Sequence, residues 1–195
     1  MTVGTVPGMT AAPQIVPMTV AETEINGLVV ITVKAVTDDR GTVREFYRQS
    51  SWVEAGLPDL GPWAQLNVTE TRQGAIRGLH GESMTKLVGI VAGEAFGVYV
   101  DARQNSSSYG KLVTQQLTPG TQVLVPRGVC NGFQSVSEGV TQYLYSFDAE
   151  WVPGMAGTAV TPLDPQLNVV WPIAIDTTDR AQISEKDLTA PGFGG

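Results

Sequence analysis

Apolar and polar residues alternate along short stretches of this chain, and turn residues separate one stretch from the next. In residues 64–71, Leu66 and Val68 alternate with Gln65 and Asn67. A period of two residues is typical of a strand that has one covered face. Such patterns predict strands over residues 28–36, 43–48, 64–71, 87–91, 95–100, 111–117, 122–125 and 141–147.

Helical periodicity is almost absent. Residues 51–57 are the one clear candidate for a short helix, with serines placed to cap its start. Because no amphipathic helix is available to cover an open sheet, the strands must pack against a second sheet or close on themselves. The sequence therefore predicts an all-β fold, a sandwich or a barrel, with few short helices.

The composition fits a single folded domain. The 195 residues are enough to bury a core, and the formal net charge of −7 argues against a nucleic-acid partner. Residues 1–20, rich in Thr, Pro and Ala, predict a flexible N-terminal arm, and residues 21–195 predict one folded unit. No apolar stretch is long enough to span a membrane, and the arm does not read as a signal peptide. We therefore expect a cytoplasmic protein with no membrane partner.

Few side chains are available for chemistry near neutral pH. His80 is the only histidine, so it is the natural candidate for a general base. Cys130 is the only cysteine, which excludes an internal disulfide and predicts a buried, inert thiol. Gln65, Asn67, Arg77 and His80 are too many polar groups for a dry core, so they predict a pocket if they share the inner face.

Several short motifs occur in the order found in a known enzyme family. Residues 77–80 read R-G-L-H, residues 86–88 read K-L-V, and residues 184–187 read S-E-K-D. Further matches are D-R-G at 39–41 with Glu45, the pair Gln65 and Asn67, G-E-A-F at 93–96, V-P-R-G at 125–128, Y-L-Y at 143–145, D-P at 164–165 and W-P at 171–172. Together they resemble the dTDP-4-keto-6-deoxyglucose 3,5-epimerases, a cupin-type family that makes activated deoxysugars.

The resemblance implies a fold and a set of residue roles. The fold is a double-stranded β-helix, or cupin jelly roll. The implied catalytic residues are His80 as base, Asp187 as its orienting carboxylate, Tyr145 as acid and Lys86 as the enolate-stabilising cation. Arg77 is implied to bind phosphate, and the other candidate substrate-binding residues are Arg40, Glu45, Gln65, Asn67, Asn131, Trp151 and Lys186. The family also implies a homodimer in which Arg40 reaches the neighbouring subunit's nucleotide.

These residue types suit epimerisation beside a ketone. In a dTDP-linked 4-keto-6-deoxy sugar, the implied substrate, the C4 carbonyl acidifies the C–H bonds at C3 and C5. Inversion then needs a base, an acid on the opposite face and a positive group near the developing oxyanion. The reaction requires no metal and no organic cofactor. Trp151 is a candidate surface for stacking the base or the sugar, and packing against the protein is the alternative.

The chain departs from the family pattern at a few positions. Asn131 replaces a common histidine, and Gly97 replaces a common aspartate. The loop between His80 and Lys86 is shorter, and one extra residue precedes Tyr145. The base, its partner and the acid are all retained. The sequence leaves open whether C3, C5 or both are epimerised, and which deoxysugar is made.

Other functions remain as alternatives. A 3,4-ketoisomerase of the same substrates would be indicated by a second histidine, and a metal-dependent cupin dioxygenase by two or three. One histidine argues against both. A non-catalytic jelly roll that binds nucleotide sugars is the alternative from a different class. It would keep Arg77 but would have no need for a His–Asp pair.

Overall fold

The computed structural model describes residues 12–194, which form fourteen strands and two short helices. The strands are β1 (Gln14–Val16), β2 (Thr19–Glu22), β3 (Val29–Thr32), β4 (Ala35–Asp38), β5 (Gly41–Arg44), β6 (Gln65–Arg72), β7 (Ile76–Glu82), β8 (Lys86–Ala92), β9 (Ala95–Asp101), β10 (Leu112–Leu117), β11 (Thr121–Val125), β12 (Val129–Ser135), β13 (Val140–Phe147) and β14 (Gly157–Ala159). The helices are α1 (Gln49–Glu54) and α2 (Glu185–Leu188). Within residues 12–194, no helix combines the length and apolar character that a membrane crossing would need.

The strands form three antiparallel sheets. The largest has six strands in the order β2-β3-β11-β8-β13-β6, and the second has five in the order β10-β9-β12-β7-β14. A small third sheet contains β1, β4 and β5. The neighbours in the two large sheets are mostly distant in sequence, as expected when a chain winds as a jelly roll. The prediction of an all-β fold of packed sheets with few short helices is confirmed.

The main core lies between the two large sheets. Val88, Ile90 and Tyr143 of the six-stranded sheet pack with Tyr99 and Phe133 of the five-stranded sheet. The rings of Phe133 and Tyr143 stack with centroids 4.0 Å apart. Alternating residues of both sheets therefore point into one interior, as in other face-to-face sheet packings.

Two chain segments cover the outer faces of the large sheets. On the six-stranded sheet, α1 buries Trp52 against Leu87 and Leu124. On the five-stranded sheet, residues 160–171 pack over Leu79 and Cys130 of β7 and β12. The second segment continues towards α2, which contacts β7, and this route carries the C-terminal part of the chain to the cavity.

Several predicted elements differ from those observed. The predicted strand 28–36 is two strands in different sheets, because the chain leaves the six-stranded sheet after Thr32 and enters the three-stranded sheet at Ala35. The predicted helix 51–57 is shifted to Gln49–Glu54, and its N-cap is Arg48, which makes no side-chain cap. Burial of Trp52, rather than a capping serine, accounts for its position.

The strands β7 and β12 were absent from the prediction. Glycines interrupt their alternation, and one close contact explains why. A Cβ atom on Gly78 of β7 would lie 2.5 Å from the Cα atom of Gly132 on β12. Side chains are excluded where the two backbones approach this closely, so the strands carry glycine where a sequence pattern requires apolar residues.

The predicted flexible arm is only partly described. Residues 1–11 lie outside the described residues. Beyond them, Gln14–Val16 pairs with β4 and Thr19–Glu22 pairs with β3. The flexibility of the arm stays a prediction. Backbone hydrogen bonds to existing strand edges order these residues even though their side chains are exposed.

Candidate active site

A cavity of about 580 Å³ opens between the two large sheets. Its walls come from β6, β7, β8, β12 and β13 and from the segment that leads into α2. Of the predicted site residues, the structure brings to its wall His80, Asp187, Tyr145, Lys86, Arg77, Asn131 and Lys186. Polar and charged side chains are therefore concentrated where a core would otherwise be apolar.

His80 and Asp187 are hydrogen-bonded although 107 residues separate them. His80 Nε2 lies 2.7 Å from Asp187 Oδ1. His80 faces the cavity because its neighbour Leu79 packs on the outer face of β7. Asp187 sits in the first turn of α2, where its backbone N–H donates to the Ser184 hydroxyl. This pair leaves Nδ1 as the imidazole atom that can accept a proton in the cavity.

The Asp187 carboxylate is arranged to stay ionised. Burial opposes its charge, but the hydrogen bond and charge of His80, the Ser184 side chain and the Gly78 backbone N–H outweigh burial and hold the pKa of Asp187 below its usual value. A charged carboxylate on one imidazole nitrogen fixes the tautomer and stabilises the imidazolium. The pair therefore has the geometry of an oriented general base.

Lys86 is buried at the start of β8, with only 5% of its surface exposed. Its ammonium donates to Asn131 Oδ1 at 2.6 Å and to the His80 carbonyl oxygen at 3.0 Å, and it forms an ion pair with Glu82. Burial lowers the pKa of Lys86, and the Glu82 carboxylate opposes this effect. A positive charge is thereby held beside His80.

Tyr145 approaches the cavity from the opposite sheet. It lies on β13 of the six-stranded sheet, whereas His80 lies on β7 of the five-stranded sheet. The Tyr145 hydroxyl is 2.6 Å from the Thr69 hydroxyl, and the Phe147 ring packs edge-on at 5.2 Å. The imidazole and the phenol therefore reach the same space from facing walls.

Besides Lys86, four cationic side chains line the cavity that holds the His–Asp pair. Arg77 donates to the Thr71 hydroxyl at 2.9 Å, which fixes the direction of its guanidinium. Arg72 lies at the end of β6 in the facing sheet, and Arg180 and Lys186 lie in the C-terminal segment. Such a cluster can bind an anionic group such as a diphosphate, despite the negative charge of the whole chain.

Five predicted substrate-binding residues do not line the cavity of their own chain. Arg40 lies in the exposed turn between β4 and β5, where it pairs with Asp38, and Glu45 pairs with Arg48. Both lie at the small sheet, outside the sandwich, and do not reach the cavity of their own chain. That Arg40 reaches the nucleotide of a neighbouring subunit stays a prediction.

The remaining three lie beyond one end of the cavity. Gln65 and Asn67 are on the inner face of β6, where Asn67 pairs with Tyr145. Their side chains are already engaged, because Gln65 donates to Asn67 at 3.2 Å and accepts the Trp151 backbone N–H at 2.7 Å. The Trp151 indole is about half exposed. The prediction that the polar pair lines the pocket is therefore not met by this structure.

Some cavity residues escaped the sequence analysis. Glu82 follows His80 by two residues on β7 and so shares its face, a signal that strand periodicity would have provided. Tyr143 likewise lies two residues from Tyr145 on β13 and so shares its face. Arg72 is the last residue of β6, and Arg180 lies in the irregular segment between β14 and α2, so no periodic pattern marks either residue.

The two substitutions among the departures from the family pattern, Asn131 and Gly97, lie close together beside Tyr99. Asn131 on β12 pairs with both His80 and Tyr99, and Gly97 lies next to the Tyr99 ring. A Cβ atom at Gly97 would lie 2.9 Å from the Tyr99 hydroxyl oxygen. The tyrosine therefore occupies the space that a side chain at residue 97 would need.

Comparisons with known proteins identify the family of this chain. A model of the dTDP-4-dehydrorhamnose 3,5-epimerase family matches residues 22–194. The dTDP-4-dehydrorhamnose 3,5-epimerase of Pseudomonas aeruginosa is 34% identical over 162 residues, which cover 80% of this chain and 85% of that protein. The dTDP-4-dehydro-6-deoxyglucose 3-epimerase of Streptomyces bikiniensis is 30% identical over 161 residues, covering 80% and 79%.

A solved structure gives the same result. The dTDP-6-deoxy-D-glucose-3,5-epimerase of Legionella pneumophila, crystallised in complex with dTDP-4-keto-L-rhamnose, superposes with a TM-score of 0.79 at 30% identity. The match covers 91% of this chain and 93% of that one. The chain belongs to the dTDP-4-dehydrorhamnose 3,5-epimerase family.

Proposed function

We propose that this chain is a cofactor-independent epimerase that inverts C3, C5 or both in a dTDP-linked 4-keto-6-deoxyhexose. The observation that carries the proposal is the position of His80 and Tyr145 on facing sheets of one cavity, with His80 bonded to Asp187. Membership of the family supports the substrate class. The relatives include 3,5-epimerases and a 3-epimerase, so both outcomes are consistent with their names.

In this mechanism the His80 imidazole removes a proton from carbon next to the C4 ketone. The electron pair of the broken C–H bond forms a C=C bond, and the carbonyl electrons move to the C4 oxygen. The Tyr145 hydroxyl then delivers a proton to the opposite face of the same carbon, and the carbonyl is restored. Solvent returns a proton to the phenolate and takes one from the imidazolium, so the net reaction is an isomerisation.

Lys86 and Asn131 provide the polar wall for the enolate oxygen. The ammonium is buried and already oriented by the Asn131 amide oxygen and the His80 carbonyl. A fixed donor in a site with little water stabilises a developing oxyanion more than water does. Asn131 carries no proton that titrates near neutral pH, so in this proposal His80 is the only base.

The cationic side chains bind the nucleotide diphosphate. Arg77 lies three residues before His80 on β7 and is aimed by Thr71, and Arg72, Arg180 and Lys186 line the same cavity. Guanidinium groups match phosphate oxygens with paired hydrogen bonds. Anchoring the diphosphate would hold the sugar ring between the imidazole and the phenol.

A homodimer also forms part of the proposal. Large apolar side chains are exposed on the small sheet, at Ile15 and Val43, and on the outer face of the six-stranded sheet, at Leu66 and Val68. Exposed apolar residues grouped on strand faces favour association. Such a dimer would allow Arg40 and Glu45 to contact the substrate bound by a neighbouring chain.

A cytoplasmic location remains a prediction.

The test is proton NMR of dTDP-4-keto-6-deoxyglucose with the protein in heavy water. Deuterium should enter at C3, at C5 or at both. A His80→Asn variant should lose exchange while it keeps dTDP affinity within a few-fold. Absence of exchange in the wild-type protein, with dTDP binding intact, would instead favour a nucleotide-sugar-binding module without catalytic activity.

A further inference from the structure

The Lys86 ammonium is surrounded by acceptors. An ammonium has three N–H donors, and Lys86 directs them to the Asn131 amide oxygen, the His80 carbonyl oxygen and the Glu82 carboxylate. Two of these acceptors are neutral, and only Glu82 carries a charge. A sugar oxygen can therefore approach the ammonium only by replacing one of the three.

Glu82 is well placed to hold the cation. It is the last residue of β7, on the same face as His80, and it lines the cavity. Lys86 is its only ion-pair partner within residues 12–194. The pairing has a clear electrostatic basis, since a buried ammonium without a counter-charge loses its proton readily.

We propose that Glu82 is a positioning residue that keeps Lys86 charged and directed at the carbonyl oxygen of the substrate. This inference rests on the proposed epimerase function. In the complex, the sugar oxygen replaces a neutral acceptor, and the Glu82 carboxylate stays in place. Glu82 therefore acts through Lys86 and makes no contact with the reacting carbon.

Within residues 12–194, Glu82 is the only carboxylate that forms an ion pair with Lys86. Asp187 is hydrogen-bonded to His80, and Asp148 pairs with Arg127. From β7 the remaining titratable neighbour is His80, which supplies no negative charge. From β12 it is Cys130, whose pKa burial raises to about 12. From β13 the neighbours are Tyr143, whose pKa burial also raises, and Tyr145. The paired strand β11 has no titratable residue.

The pH dependence follows from these contacts. Burial lowers the pKa of Lys86, and Glu82 raises it. Replacing the carboxylate with an amide of equal size removes the opposing effect, so the ammonium should lose its proton at a lower pH. Activity that requires a charged Lys86 would then decline at lower pH than in the wild-type enzyme.

The experiment compares pH profiles of kcat and KM for Glu82→Gln, Glu82→Asp and the wild-type enzyme. We expect Glu82→Gln to lower kcat by about tenfold or more, to change KM less, and to move the basic limb to lower pH. Glu82→Asp, which keeps a carboxylate, should move the basic limb part of the way back towards its wild-type position. Glu94→Gln, in the turn that follows β8, removes a carboxylate away from the cavity and should match the wild type.

A double variant makes the result independent of folding problems. If Glu82 acts through Lys86, Lys86→Met and Lys86→Met/Glu82→Gln should have equal rates. Extra loss in the double variant, or a Glu82→Gln profile that superposes on the wild type, would overturn the inference. Inactivity of the wild-type protein on 4-keto sugars would instead refute the proposed function.

Discussion

Asp187 is expected to influence the reaction only through His80. Its carboxylate oxygen is 2.7 Å from the imidazole Nε2, and the opposite ring nitrogen is left for the substrate. Because the pKa of Asp187 lies below its usual value, the carboxylate stays negative when the imidazole takes up a proton. That step therefore forms an imidazolium–carboxylate pair, and removing the negative charge of Asp187 should slow it.

Replacing Asp187 with Asn should lower kcat by about 10²–10⁴-fold. The amide can still form a hydrogen bond, but it neither stabilises the imidazolium nor favours the correct tautomer. Steady-state kinetics and dTDP binding measure the effect, and dTDP affinity should change only a few-fold. Because Asp187 acts through His80, adding Asp187→Asn to His80→Asn should cause little loss beyond that of His80→Asn alone. Activity within a few-fold of wild type would contradict the role of Asp187.

Gly97 and Tyr99 should behave as a coupled pair. The Cβ atom of an alanine at residue 97 would lie 2.9 Å from the Tyr99 hydroxyl oxygen and 3.1 Å from Leu117 Cδ1. Gly97→Ala should therefore reduce the free energy of unfolding by about 1–3 kcal/mol. Urea unfolding measures this value, and the cost should be smaller in a Tyr99→Phe background. Equal costs in both backgrounds would show that the hydroxyl is not the obstacle.

Single residues were predictable from sequence to the extent that a motif marked them. The structure brings His80, Lys86, Tyr145 and Asp187 to one cavity, as the resemblance implied. Gln65 was assigned to the pocket from alternation, which identifies a face but not a position along it. The Trp151 backbone N–H donates a hydrogen bond to the Gln65 side chain, and no pattern in the sequence indicates such a contact.

At the scale of elements, alternation located most of the strands of the large sheets but not the one that carries the base. On β7, cavity-facing polar residues and closely packed glycines replace the expected apolar positions.

At the end of β9, side-chain hydrogen bonds rather than alternation determine the local structure. There Asp101 accepts hydrogen bonds from Arg103, Ser106 and Ser108 and orders the loop that leads to β10.

The hydrogen bonds of this loop should make the free energy of unfolding depend on pH in the acid range. Burial opposes the charge of Asp101, but those hydrogen bonds outweigh it and hold its pKa well below the usual value. In the unfolded chain the pKa of an aspartate is about 3.9, and at pH values above this the ionised Asp101 stabilises the folded state in full. This stabilisation is lost as the pH falls towards the lower pKa of Asp101 in the folded protein. Asp101→Asn should therefore cost about 2 kcal/mol at pH 7 and clearly less near pH 3.

Urea unfolding at both pH values measures the difference. Asp38→Asn is the matched control, because Asp38 pairs with Arg40 on the exposed hairpin and should have no measurable effect. A loss of stability for Asp101→Asn that is equal at both pH values would contradict the assigned cause.

At the scale of the whole molecule, the apolar strand faces predict association. Val43 is 71% exposed and Leu66 is 59% exposed. Light scattering should give twice the mass of one chain, and Val43→Asp with Leu66→Asp should give monomers, because a charge in an apolar interface is costly. Val170→Asp is the control, since Val170 is 82% exposed in a loop and should leave the mass unchanged. A wild-type monomer would contradict the dimer.

The most direct test of the central claim separates proton removal from proton return. Proton NMR of dTDP-4-keto-6-deoxyglucose in heavy water would be recorded with the wild type, His80→Asn and Tyr145→Phe. If a base and an acid act from opposite walls, Tyr145→Phe should still exchange deuterium into the substrate without inversion, and His80→Asn should do neither. Normal inversion by Tyr145→Phe, or undiminished exchange by His80→Asn, would contradict the two-sided mechanism.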